Sequence, residues 1–431
     1  MTKELTHGKP LPLILQFAFP LILGYMLQQL YSLCDTVIVG RCLGVNELAV
    51  GSTGAVSFLV VGFATGMCTG MSIPVAQAFG AGDYQKLRKY LANSFYLSAL
   101  ISIVMTVGTI IFTGDLLRLM KTPEELYDFA YDYIFTVFAG ISATILYNLL
   151  SSMLRSIGDS RTPLIFLAIA AALNIGLDFL FILGFHTGVA GAGYASVLSQ
   201  GISGILCLIY MFKKYEIFRI RKEEWKLSLS CCGRLVSIGL PMALQFSITA
   251  IGSIILQTAV NTLGTVSVTA ASKLQMILTG PMECLGITMA TYCGQNLGAR
   301  EFERIRSGIR TSVIVSMIYC VVSAVIIIVL GGWMALLFLD ASETEVMAQV
   351  KEYLRLNAYF YPTLGLLFIL RNGLQGMSYS FLPMMAGVTE LIARVLVCVA
   401  FVPDFGYTAA CMASPVAWIF ADINIAYSTK W

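Results

Sequence analysis

Twelve apolar stretches fill most of this 431-residue chain. They fall near 11–39, 47–79, 90–113, 127–152, 163–184 and 189–212, then near 235–261, 267–297, 309–339, 353–374, 382–403 and 406–428. Most are long enough to cross a bilayer, which takes about 20 helical residues. In lipid the backbone must satisfy its own hydrogen bonds, so only helices or closed barrels span. These stretches are far longer than barrel strands. The expected fold class is all-α and polytopic, with twelve transmembrane helices. Composition agrees, at 58% hydrophobic and 12% charged residues, where soluble domains carry about 25% charged residues. A water-soluble enzyme of this composition would expose large apolar patches and associate. The net charge of +3 comes without a basic block, so no nucleic-acid partner is expected.

The first ten residues carry Lys3 and Lys9 and lead into an apolar stretch. That stretch is too long for a signal-peptide core and no small-residue cleavage motif follows it, so it reads as an uncleaved first span. Twelve spans put both termini on one face. Lys and Arg crowd that face, including Lys86, Arg88, Lys89, Arg155, Arg161, Arg300 and Arg304, whereas the opposite loops hold only Arg41, Arg118 and Lys121. The positive-inside rule then predicts cytoplasmic termini. Most cysteines stand singly in apolar runs, and the adjacent Cys231 and Cys232 lack a partner pair at zinc-binding spacing. They read as free, buried small hydrophobes rather than a disulfide frame. His7 and His186 both lie outside the apolar stretches, so no haem or histidine-rich metal centre is expected.

The two halves match at an offset near 220. FPLILGYMLQQLYS (19–32) faces LPMALQFSITAIGS (240–253), pairing Pro20 with Pro241. QAFGAG (77–82) faces QNLGAR (295–300), Pro163 faces Pro383, and GVAGAGYAS (188–196) faces GYTAACMAS (406–414). The order and near-constant offset indicate duplication. A six-span unit keeps its orientation when duplicated, so the halves should be parallel repeats, a transporter arrangement with substrate near the midplane. This predicts an N-terminal six-helix lobe at 1–218, a C-terminal six-helix lobe at 219–431, and a cytoplasmic linker near 213–234.

Charged groups within spans are costly and mark function by default. Asp35 is about five residues from the outer end of span 1, roughly 7 Å deep at 1.5 Å per residue. Asp178 is about six residues, roughly 9 Å, from the outer end of span 5. Asn174 is one turn from Asp178 on the same face, and Ser196 on span 6 and Tyr133 on span 4 have comparable depths. Burial disfavours the charged form of a carboxyl, and a second carboxylate disfavours it further. The set predicts a proton or Na⁺ site. Glu390 and Arg394 form an i, i+4 pair on span 11 and are expected to neutralise one another. Lys273 should snorkel, Asp422 should reach the interface near the end of span 12, and Glu283 follows Pro281 within span 8. The prolines at 20, 74, 241, 281, 362 and 415 fall inside spans and are expected to kink them.

Several segments resemble the multidrug and toxic compound extrusion (MATE) family. They are DTVIVGRCLG (35–44), QAFGAGDYQKLRK (77–89), LRSIGDSRTPL (154–164), LNIGLDFLFILGFHTGVAGAGYASVLSQ (173–200) and LQGMSYSFLPM (374–384). The resemblance covers nearly the whole chain, in order. It implies two pseudo-symmetric six-helix lobes around a central cavity and cation-coupled export by alternating access. It is nearest to the prokaryotic DinF-like branch, whose N-lobe coupling network matches Asp35, Asn174, Asp178, Tyr133 and Ser196. The resemblance further implies Pro20 as a bending point and Gln28 and Asn148 as substrate-cavity positions. The C-lobe carboxylates of the NorM-like branch have no counterpart around Ser247 to Thr249 or Leu364.

The expected function is therefore an antiporter exporting amphipathic, often cationic, small molecules such as drugs. The coupling ion is H⁺ or Na⁺, the latter held at Asp35, Asp178 and Asn174, with no other cofactor or metal. The expected setting is a prokaryotic plasma membrane, with lipid as the surrounding partner and the chain acting as a monomer. A lipid-linked oligosaccharide flippase is the alternative within the superfamily. An integral-membrane enzyme is a remote one, since no Asp-rich diphosphate motif, His cluster or nucleophile elbow is visible.

Overall fold

The computed structural model describes residues 4–43, 47–119, 124–261, 267–336 and 344–429, and among these every regular element is helical. In chain order the helices are α1 (Pro10–Leu43), α2 (Glu47–Gly80), α3 (Tyr84–Leu119), α4 (Glu124–Ala139), α5 (Ile141–Ser156), α6 (Arg161–Asp178) and α7 (Val189–Lys214). The second half repeats the series with α8 (Leu229–Asn261), α9 (Ser267–Gly298), α10 (Phe302–Ala335), α11 (Thr344–Tyr359), α12 (Tyr361–Gly376), α13 (Phe381–Ala400) and α14 (Val402–Thr429). Among the described residues nine helices are long and apolar enough to cross a membrane, and ten spans result when the bent pair α4–α5 is one. Helix α9 and the pair α11–α12 complete the twelve. They fall short on apolarity because they carry Lys273 and Glu283, and Lys351, Glu352, Arg355 and Arg371, respectively.

Spans 4 and 10, read from sequence as continuous, are each broken into two helices. The first breaks at Gly140 with a 48° bend. A Cβ on Gly140 would overlap the Val197 side chain of α7, so the break lies where two helices approach closely. The second breaks at Phe360. Pro362 was expected to kink a helix interior. It stands instead in the first turn of α12, where the missing N–H costs nothing.

The duplication is visible in the backbone. Gly82 and Arg300 have φ of +70° and +62°, Gly158 and Ser378 +85° and +71°, and Gly188 and Gly406 +64° and +57°. Arg300 and Ser378 keep the left-handed conformation without glycine, at a cost of about 1–2 kcal/mol each. The turn geometry is thus imposed by the helices it joins. Helices α6 and α13 both begin after a serine, Ser160 and Ser380.

Packing divides the chain into two compact units. The first is built mainly of Phe19–Ala243, and the second of Leu5–Ala18, Leu244–Leu297 and the residues from Glu301 on. The unit therefore changes within α1, beside Pro20, and within α8, close to Pro241. In the first unit the core joins Met71 and Val75 on α2, Leu149 and Met153 on α5, and Cys207 and Met211 on α7. In the second it joins Leu274 and Met282 on α9, Tyr353 and Leu354 on α11, Leu367 on α12 and Trp418 on α14. Association between helices in lipid rests on such packing and on polar contacts rather than on a hydrophobic drive. The related helices α3 and α10 each turn an apolar stripe outward, with Ile103 63%, Ile111 65%, Val325 55% and Val329 66% exposed. In lipid these side chains need no partner.

The 213–234 segment is folded onto the first unit. It forms two short 3₁₀ turns, Glu216–Phe218 and Lys222–Trp225. Arg88 Nε lies 2.9 and 2.7 Å from the two Glu224 carboxylate oxygens, and Glu224 also accepts the Arg221 N–H at 2.8 Å. The Arg88 guanidinium holds the Glu224 carboxyl below its ordinary range. Trp225 stacks on Phe95 at 6.3 Å, and its carbonyl accepts the Tyr96 hydroxyl at 2.9 Å. At the start of α6, Asp159 accepts the Thr162 N–H at 3.0 Å and the Tyr215 hydroxyl. Burial, then the Asp159 carboxylate, push the Tyr215 hydroxyl up to about 12. The motif residues 154–164 therefore include a buried cap that ties the start of α6 to the end of α7.

Candidate functional site

Asp178 is the last residue of α6 and is fully buried. The chain continues directly into a π-helical turn, Phe179–Gly184, a distortion that concentrates at functional positions. One turn earlier, buried Asn174 donates from Nδ2 to Ser196 Oγ on α7 at 3.3 Å. Its Oδ1 is shielded from water and has no hydrogen-bond partner. Tyr133 on α4 and Ile38 on α1 each pack against Ile182 of the π turn and Ala192 of α7. Four segments thus meet in one place, held close by Gly193, where a Cβ would run against the Thr136 side chain.

The Asp35 side chain lies outside the described residues, although its helix does not. Ile38, three residues later on α1, belongs to the Tyr133 contact group. Among the other expected positions, Pro20 is buried inside α1 and Gln28 is exposed on the same helix. Asn148 is half-buried on α5 and donates to the Thr144 carbonyl at 2.9 Å.

Sequence reasoning missed two members of this polar seam. Thr144 on α5 donates to Gln200 Oε1 on α7 at 2.6 Å. Gln200 is one turn beyond Ser196, so polar groups follow one another from Asp178 and Asn174 through Ser196 and Gln200 to Thr144 and Asn148. The i, i+4 spacing of Ser196 and Gln200 was the available signal. Its partner on α5 could not be read without knowing which helices touch.

A second polar centre lies in the other unit. Glu390 on α13 gives one oxygen to Arg394 Nη2 and the other to Arg371 Nη2 on α12, each at 2.9 Å. The i, i+4 pair read from sequence is therefore part of a triad. Arg371, Glu390 and Arg394 are each 5% exposed. Gln375 Nε2 donates to Gln245 Oε1 at 2.5 Å one turn from Arg371, and Asn424 Nδ2 donates to Thr389 Oγ1 at 3.2 Å. Asp422, expected at the interface, is half-buried on α14, and its Oδ1 is shielded from water without a hydrogen-bond partner. Lys273 is exposed on α9.

The family model described as MatE matches this chain twice, at residues 20–180 and 241–400. The two matches reproduce the internal repeat. The chain belongs to the MATE family. The probable multidrug resistance protein YpnP of Bacillus subtilis is 33% identical over 377 residues, 86% of this MATE protein and 83% of that one. The probable multidrug resistance protein NorM of Thermotoga maritima is 25% identical over 322 residues, 73% of this chain and 69% of its own. An outward-facing multidrug resistance MATE family transporter superposes with a TM-score of 0.92 at 22% identity, over 99% of this chain and 97% of that one. A MATE protein in complex with MaL6 gives 0.90 at 21% identity, over 100% of both chains. At these identities the two structures establish a shared fold, the all-α twelve-span architecture expected from the sequence. The chain is thus a multi-pass membrane protein of a prokaryotic transporter family.

Proposed function

We propose that this MATE protein is a cation-coupled antiporter that exports amphipathic, often cationic, small molecules, drugs among them, by alternating access. The observation that carries the reading is the buried Asp178–Asn174–Ser196 group beside the π turn, a turn that α1 also reaches through Ile38. A buried carboxyl with an amide one turn away and a hydroxyl and a phenol on neighbouring helices can take a proton or, with the same oxygens, Na⁺. Binding a cation there shifts the balance between two arrangements of the protein only by its differential affinity for them. Substrate favours the opposite arrangement, so the two are exchanged rather than carried together. Pro20 leaves α1 without one backbone hydrogen bond, and α1 can bend there when Asp35 changes its charge. Gln28 and Asn148 contribute polar contacts to substrate. Both termini are cytoplasmic, following the charge of the loops. The naming of relatives as multidrug resistance proteins supports a drug substrate.

The test is export of a fluorescent organic cation by proteoliposomes under a pH gradient or a Na⁺ gradient imposed separately. One gradient should drive export, and Asp35→Asn and Asp178→Asn should each abolish it while the protein still inserts. Wild-type rates in both variants would sink the site assignment, and no export under either gradient would sink the antiporter.

A further inference from the structure

Within the second unit, α10 and α11 leave a cavity of about 530 Å³ between them. Ile328, Val329 and Trp333 of α10 line it on one side, and Lys351 and Arg355 of α11 on the other. Lys351 and Arg355 are one turn apart, and like charges at that spacing repel. Among the described residues no carboxylate lines the cavity and neither cation forms an ion pair. Glu352, the adjacent acid in sequence, accepts the Thr408 hydroxyl of α14 at 3.0 Å instead.

The cavity lies at the edge of the lipid. Val325 and Val329 belong to the outward apolar stripe of α10, and Gly332 follows Val329 by three residues. A Cβ on Gly332 would stand 2.8 Å from Lys351 Cε, so the lysine stem lies along the end of α10. Trp333 is 74% exposed, and tryptophan concentrates at the membrane–water boundary. Cations at this depth are costly when left alone and mark function by default.

The first unit shows the same place without cations. Helices α4 and α11 are both 16 residues long, and Met347, Lys351 and Arg355 stand at the registers of Tyr127, Tyr131 and Phe135. Those three rings stack on one another, with centroids 6.2 and 5.8 Å apart. Gly114 of α3 and Gly332 of α10 also share a register. A Cβ on Gly114 would lie 3.1 Å from the Tyr127 hydroxyl. A row of rings supplies its own partners. A thioether, an ammonium and a guanidinium at the same spacing do not, and the two charges call for an anion.

We propose that this cavity binds one anionic phospholipid from the leaflet on the side of the α10–α11 connection. Its phosphate sits between Lys351 and Arg355, and its chains run along Ile328 and Val329. A guanidinium pairs with phosphate oxygens through two parallel hydrogen bonds and an ammonium acts as a point charge. Basic pockets between membrane helices hold lipid headgroups in this way. The site does not depend on the antiporter reading, because it uses neither Asp178 nor the polar seam.

The test reads lipid binding rather than transport. The purified full chain is followed by native mass spectrometry in detergent with phosphatidylglycerol or with phosphatidylcholine of the same acyl chains. One phosphatidylglycerol should be retained about fivefold more than phosphatidylcholine. Lys351→Gln with Arg355→Gln should remove that preference. Lys273→Gln, which deletes an exposed cation on α9, should leave it. Lys351→Tyr with Arg355→Phe copies the rings of the first unit and should abolish the preference without lowering Tm. A second readout leaves both cations in place. With Trp225, Trp418 and Trp431 replaced by Phe, chain-brominated phosphatidylglycerol should quench Trp333 emission at a lower lipid fraction than brominated phosphatidylcholine. Equal retention of the two lipids, equal quenching by them, or a preference that survives loss of both cations would overturn the proposal. So would a preference lost just as fully in Lys273→Gln, since net charge alone would then explain it. The side chains of Asp340, Glu343 and Glu345 lie outside the described residues. A preference that appears only after all three are replaced by their amides would place those carboxylates on the cations and overturn the proposal too.

Discussion

In the first unit the polar seam that follows buried Asp178 consists of neutral donors and acceptors, Asn174, Ser196, Gln200 and Thr144. In the second, permanent charges are locked by a carboxylate that bridges two guanidiniums. Both descend from the same six-span repeat, and Asn174 and Arg394 occupy the same register. Duplication therefore preserved the helices and let their polar contents diverge. A neutral cluster can change its protonation or bind an ion at small structural cost. An arginine–glutamate–arginine triad holds its helices together and resists any change in its own charge.

Breaking the triad gives the largest expected effect on stability. Glu390→Gln leaves two buried guanidiniums unpaired and should destabilise the second unit by about 3–5 kcal/mol, read as lost monodispersity and a lower Tm in detergent. Replacing Arg371, Glu390 and Arg394 together with Met, Leu and Met should recover most of that loss, because a well-packed apolar set is often as stable as a buried ion cluster. A triple variant no better than Glu390→Gln alone would mean that the triad does more than hold its own charges together. In the first unit, Asn174→Ala should cost only about 0.5–1.5 kcal/mol while cutting gradient-driven export at least tenfold. A loss of Tm as large as that of Glu390→Gln would erase the contrast between the units.

The smallest effect concerns the clamp outside the membrane. Glu224 has its carboxyl held low by Arg88, so the pair contributes stability above the ordinary carboxylate range near 4.5. That contribution is lost as pH falls through the lowered value in the folded protein. Arg88→Gln should lower Tm by an amount equivalent to about 1 kcal/mol at neutral pH, and the difference from wild type should vanish in acid. An equal difference at both pH values would show that Arg88 acts through packing rather than charge.

Much of this was legible in the chain itself. Apolar segments of spanning length forbid any fold but a helical bundle, since lipid offers backbone groups no partner. The constant offset between halves announced the duplication, and the depths of Asn174 and Ser196 agreed well enough to bring them together. Register and length are local properties, so sequence carries them. The sequence did not determine which helices touch. Gln200 met Thr144, and Arg371 joined Glu390 and Arg394, only through packing between α5 and α7 and between α12 and α13. The breaks at Gly140 and Phe360 were likewise invisible in hydropathy, because an apolar run scores alike whether straight or bent. The clearest case is Asp422. By position it belongs near the end of a span, where a carboxylate ordinarily finds water. Tertiary structure alone shut its Oδ1 off from water, because the surroundings of a group depend on what neighbouring helices bring to it, and that is decided across the bundle.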